Sequence, residues 1–269
     1  MNLPFSFIFI FIVVPVIALF TAIYGIIKRK KSEENLFRCG IVYLKRLRTL
    51  LTYIQQHRGL TNSFLNGNLS VVNDIRNLEE LVFDEIAHLN AIEGWVKDNN
   101  KWISIIDHWF RINSHYRTLE SEANLKQHNT LIANLLYFID DLADAHHLGK
   151  LGLIDAADTD WRNLLFVAEY VGQARALGVG ALSKGYCSNV LRIQLNHLIV
   201  KIEANINPAW PESTRQDFKY LVNVIENNVI TDKADILPAD YFQLATICIE
   251  HVLTEFDRQV EKIQFHRTG

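Results

Sequence analysis

Cysteine is scarce in this chain: three residues in 269, Cys39, Cys187 and Cys248. They are odd in number and far apart, so they form neither a disulfide framework nor a Cys-x-x-Cys zinc pair. Only five prolines and 12 glycines are present, which excludes a collagen-like or Pro-rich linker protein. There is no basic excess either. Lys and Arg number 27 against 30 Asp and Glu, which argues against general nucleic-acid binding. Nucleophile elbows, phosphate loops and zinc-finger spacings are absent. No catalytic residue, metal site or cofactor is expected, and the chain is not read as an enzyme. Disorder is also excluded, because 49% of residues are hydrophobic and 21% charged.

What stands out first is an uncharged N-terminal run, Leu3 to Ile27. About 20 apolar residues in a helix cross a bilayer core, and Pro15 is tolerable in such a span. Met1-Asn2 supplies no basic n-region, so an uncleaved anchor is the better reading than a signal peptide. The run ends at Lys28-Arg29-Lys30-Lys31, which by the positive-inside rule stays in the cytoplasm. The expectation is a single-pass protein of the inner (cytoplasmic) membrane. Residues 1–31 are the transmembrane anchor with its basic stop segment, and 32–269 form a cytoplasmic C-terminal domain.

That domain reads as all-α. Apolar residues recur at three- and four-residue steps, and no alternating strand with a hairpin turn is found. Helices are expected over about Glu33–Asn66, Ser70–Lys97, Trp102–Ile112, Glu120–His147, Trp161–Lys184, Ser188–Asn205, Ser213–Asn228 and from Pro238 to about Phe265. Asn66-Gly67-Asn68, Gly185 and Asn207-Pro208 are stops, and Asp158-Thr159-Asp160 caps the fifth helix. Short loops between long helices imply antiparallel neighbours, hence one or two up-down bundles of four-helix type.

Two arginines interrupt apolar seams. Leu47, Leu51, Ile54, Arg58, Thr61 and Leu65 follow steps of four and three, as do Leu164, Ala168, Val171, Arg175, Gly178 and Leu182. Arginine keeps its charge, and burying it unpaired is costly, so something anionic should meet each one. Gly172, Ala174, Ala176, Gly178, Gly180 and Ala181 leave the second helix poor in bulk. That room suits a small ligand beside Arg175. It equally suits close helix packing, with Arg175 paired to a carboxylate such as Glu169, Asp140 or Asp141.

Other groupings carry less. Asp140, Asp141, Asp144, His146 and His147 have a spacing that a metal could use, but they read more simply as a polar helix end. Glu85-x-x-His88 is one unit of a di-iron bundle that needs two. Trp95, Trp102 and Trp109, seven residues apart, read as one packed helical face.

The segment Gln55-Gln56-His57-Arg58-Gly59-Leu60-Thr61-Asn62-Ser63-Phe64-Leu65 resembles the first-helix motif of the bacterial nitrate- and nitrite-sensing (NIT) domain family. Ala168-Glu169-Tyr170-Val171-Gly172-Gln173-Ala174-Arg175-Ala176-Leu177-Gly178, continuing through Leu182-Ser183-Lys184-Gly185, resembles its second motif. The resemblance implies two helical bundles sharing long helices, with nitrate or nitrite bound by Arg58 and Arg175. His57, Gly59, Thr61, Gly172 and Gly178 would be pocket neighbours. This chain has His57 where the family usually carries an acidic residue.

The chemistry agrees with that implication. A guanidinium fork can offer two parallel N–H donors to one edge of a planar monoanion, which lysine cannot. Two facing forks would hold nitrate in a plane and tie two helices together. The functional expectation is a membrane-anchored sensor. Domains of this family are usually joined to an output module, and this chain ends at Gly269. A separate signalling protein is therefore the expected partner, and pairing along the first helix would give a homodimer. The alternative is a membrane-anchored helical scaffold whose arginines are purely structural.

Overall fold

The computed structural model describes residues 14–92, 94–149, 161–231 and 235–268. Among these, regular structure is entirely helical. The long helices are α1 (Val14–Leu65), α2 (Val72–Ala91), α3 (Asn100–His115), α4 (Ser121–Ala145), α5 (Trp161–Lys184), α6 (Asn189–Ala204), α7 (Glu212–Val224) and α8 (Pro238–Thr268). A π-helical turn, Ile225–Val229, extends α7.

The helices group into two bundles. The C-terminal part of α1 packs on α2 and α4, and α3 completes this first bundle against α4. In the second, α5 makes its most extensive contact with α8, while α6 and α7 close the sides. The seam of α1 explains its placement: Phe37, Ile41, Leu44, Leu47, Leu51 and Ile54 are all buried at steps of three and four. The bundles meet where α5 touches α1 and α4. Two polar ties join α1 to α8 as well: Arg48 Nη2 donates to Asp257 Oδ2 at 2.8 Å, and Lys45 Nζ donates to Gln264 Oε1 at 2.9 Å.

Most expected helix limits hold to within a few residues. Two differ: the first helix already runs from Val14 rather than about Glu33, and the second stops at Ala91 rather than Lys97. Gly94 has φ of +120°, a left-handed conformation that a helix cannot continue through. The Asn99 side chain then accepts from the Lys101 N–H and starts α3. Trp95 therefore lies in a turn, off the helical face that carries Trp102 and Trp109. It still stacks on Phe138 at 5.3 Å between ring centroids, and Trp102 stacks on the same ring at 5.5 Å. The expected cap at Asp158-Thr159-Asp160 lies outside the described residues.

The inner-membrane localisation is corrected by the structure. Among the described residues, no helix is long and apolar enough to cross a membrane. The described apolar stretch, Val14–Ile27, spans roughly 21 Å at the helical rise, against a bilayer core of about 30 Å. It then runs without a break into charged helix from Lys28. Residues 3–13 of the expected span lie outside the described residues.

Candidate functional site

Arg58 sits where α1 crosses α5 and is 1% exposed. Its Nη1 donates to Glu169 Oε1 at 2.5 Å and to Asn129 Oδ1 at 2.7 Å. The carboxylate is itself 3% exposed and held by two amides. Gln55 Nε2 donates to Oε2 and Gln173 Nε2 to Oε1, both at 2.8 Å. Three helices thus converge on one ion pair: α1 through Gln55 and Arg58, α4 through Asn129, α5 through Glu169 and Gln173. Among the described residues, Arg58 Nη2 is buried with no hydrogen-bond partner. It lies over the bare backbone of Gly172, where an added Cβ would be 2.8 Å away. A guanidinium this deep fits only because α5 has no side chain at that position.

Arg175, half-buried about one turn after Gly172 on α5, has no carboxylate within ion-pair distance among the described residues. Its partners come from α8. Nη1 donates to Thr246 Oγ1 at 2.8 Å, and the guanidinium lies 4.7 Å from the centre of the Phe242 ring. Burial first, and then the nearby positive charge of Arg58, push Arg175 down to about 10. It stays charged at neutral pH. Two guanidiniums against one buried carboxylate leave one positive charge uncompensated.

Both arginines line one cavity of about 900 Å³, between α1 and α2 on one side and α5 and α8 on the other. Gly59, Gly172, Ala176, Val179 and Gly180 contribute small or apolar wall, and Gln56, Asn62 and Ser183 contribute polar groups. Two guanidiniums thus share one cavity whose α5 wall is low in bulk.

The remaining sequence candidates fall elsewhere. His57 is fully buried in the first bundle, not in the cavity. Its Nδ1 is 2.9 Å from His128 Nε2, and its ring meets the edges of Trp109 and Tyr116. Burial lowers its pKa first, opposed by Glu79, whose carboxylate is 3.8 Å from Nε2. Adjacent residues on a helix point in different directions, so a neighbour of Arg58 in sequence is not its neighbour in space. Thr61 is also buried in that bundle, donating to the His57 carbonyl at 2.7 Å and accepting from Asn124 Nδ2 at 3.1 Å. Gly178 lies under the Tyr241 ring of α8, where a Cβ would come within 2.4 Å. The small residues of α5 therefore do two jobs: Gly172 admits Arg58, and Gly178 admits Tyr241.

The carboxylates suggested for Arg175 are engaged by other groups: Glu169 by Arg58, Asp140 by Arg162 and Asp141 by Lys101. Asp144 also faces Arg162, at 2.7 Å. Among the described residues, no cluster of His, Cys, Asp and Glu could hold a metal ion.

The sequence model of a family described as nitrate and nitrite sensing matches residues 49–263, which include both arginines and all the residues that line the cavity. The chain belongs to the nitrate- and nitrite-sensing (NIT) family. A solved structure titled as that of the NasR transcription antiterminator is similar to it, with a TM-score of 0.63 over 93% of this chain and 73% of that one. At 17% identity that likeness is one of fold. No curated protein matches the chain. Within this NIT domain, the sequence motifs of α1 and α5 are brought face to face.

Sequence reasoning did not find Phe242 and Thr246, or the amides of Gln55, Asn129 and Gln173. Phe242 and Thr246 are four apart, so they share one face of α8, but an aromatic and a hydroxyl at that spacing are common on any helix. Gln55 and Gln173 lie inside the two motifs, three or four residues from Arg58 and Glu169. That helical proximity was the available signal.

Proposed function

We propose that this protein is a sensor that binds nitrate or nitrite in the cavity between α1 and α5, with Arg58 and Arg175 as the anion's donors. The observation that carries the reading is the incomplete satisfaction of both guanidiniums. Arg58 is deeply buried yet keeps Nη2 without a partner, and Arg175 has a hydroxyl and an aromatic face where a carboxylate would be expected. A buried cation in that state gains strongly from a charge-assisted partner. A monoanion seated on Arg175 draws Nη2 of Arg58 away from Gly172 and completes both forks.

The consequence is mechanical. Arg58 belongs to the first bundle and Arg175 to the second, so a bridging anion favours one arrangement of the bundles over others. That differential contact is what a ligand-driven shift requires. A separate signalling partner reads the shift. The role is binding and relay, with no bond made or broken in the ligand.

The second reading, a helical scaffold with structural arginines, draws on the Arg58–Glu169 pair, which satisfies much of Arg58 by itself. Arg175 does not fit it, because among the described residues no carboxylate lies within ion-pair distance of that charge. Calorimetric titration of the full chain with nitrate, nitrite, chloride and sulfate tests the proposal. Saturable binding of nitrate or nitrite, with chloride and sulfate weaker, is expected. Absence of heat with both nitrate and nitrite refutes it.

A further inference from the structure

We propose that Glu169 sets the charge of the anion that this cavity accepts, selecting monoanions over dianions. The inference rests on the reading of the cavity as an anion site. Its starting point is that size cannot do the selecting. A cavity of about 900 Å³ is far larger than nitrate or sulfate, and guanidinium forks bind oxyanions of either shape. What remains is charge balance around the two guanidiniums and Glu169.

Glu169 is fixed and buried, with Arg58, Gln55 and Gln173 all donating to its two oxygens. Against Arg58 and Arg175 it leaves the buried cluster one positive charge. Lys184 and Asp74 also line the cavity, but they are opposite in sign and exposed. Glu250 acts on Arg175 from an exposed position, where salt screens it. A monoanion brings the buried cluster to neutrality. A dianion leaves it one charge negative, beside a carboxylate that repels it twice as strongly. Removing that carboxylate charge makes the cluster doubly positive and inverts the preference.

Glu169→Gln keeps the shape and an acceptor oxygen for Arg58, and Gln55 can turn its amide to meet the new NH₂. Glu169→Asp keeps the charge. Wild type and both variants are titrated with nitrate and with sulfate at fixed ionic strength, and each is melted to confirm folding. Glu169→Gln should move the sulfate-to-nitrate affinity ratio toward sulfate by roughly tenfold or more. Glu169→Asp should keep the wild-type order.

An unchanged ratio in Glu169→Gln, with nitrate still bound by wild type, overturns the inference and leaves the anion site standing. An equal loss of both anions assigns Glu169 only a positioning role for Arg58 and also overturns it. A wild type that binds neither anion removes the site itself and the inference with it.

Discussion

Arg58 and Arg175 should fail in different ways when each is replaced by alanine. Arg58→Ala removes the cation from a buried ion pair and strands Glu169, which is left with two neutral amides. Breaking a buried pair by removing one partner costs about 3–5 kcal/mol. For a domain of this size each kcal/mol moves the melting temperature by roughly 2–4 °C, so a fall of about 6–20 °C is expected. Arg175→Ala strands no carboxylate. It frees the Thr246 hydroxyl, which already donates to the Phe242 carbonyl at 2.8 Å, and it relieves the repulsion from Arg58. Its melting temperature without nitrate should lie within a few degrees of wild type. The ligand response should separate them from wild type in the same way. At a hundredfold excess over Kd, nitrate stabilises a binding-competent protein by about 2.7 kcal/mol. Wild type should show that rise, and both variants should lose most of it. Arg58→Ala combined with Glu169→Ala should recover much of the stability lost by Arg58→Ala, because the stranded charge goes too. The assay is a thermal melt of the full chain, with and without nitrate. An Arg175→Ala protein that melts as low as Arg58→Ala, or either variant keeping the full nitrate-dependent rise, would refute the reasoning.

Two further outcomes follow from the packing. Gly178→Ala places a methyl within 2.4–2.6 Å of the Tyr241 ring, which is buried and whose hydroxyl donates to the Ala174 carbonyl at 2.8 Å. Overpacking of about 1–3 kcal/mol should outweigh the roughly 1 kcal/mol gained in helix propensity, and denaturant unfolding should show a net loss. Burial lowers the pKa of His57, His128 and His146 in the folded protein, so the unfolded chain binds protons first as pH falls. Stability should be fully present above about pH 6.5 and decline below it, by up to about 1.4 kcal/mol per pH unit for each histidine. His128→Gln should flatten that slope in unfolding measured from pH 5 to 8.

The helices were legible because amphipathic periodicity survives any particular arrangement of bundles. Leu47, Leu51 and Ile54 turn inward for the same reason that made their spacing visible. The two arginines were legible because a permanent charge inside an apolar seam is a local contradiction. Their partners were not, since Glu169 is 111 residues from Arg58 and the Phe242–Thr246 face is about 70 from Arg175. No local pattern says which of several carboxylates a buried guanidinium will find. Thr61 and Gly178 show a related gap, because position along a seam does not fix which neighbouring helix stands opposite. The N-terminal run was read from hydropathy alone, and the described part of it continues into a much longer helix that turns charged and then amphipathic from Lys28.

The aromatic stack in the first bundle bears on how binding could be watched. None of the five tryptophans lines the cavity. Trp95 and Trp102 clasp Phe138, while Trp109 rests its ring 4.8 Å from that of His57, the residue next to Arg58. The indoles are therefore bystanders to the anion, but Trp109 touches the helix that would carry its message. A change of intrinsic emission on adding nitrate, at a concentration too low for collisional quenching, would report α1 moving within its bundle rather than an ion arriving beside a fluorophore.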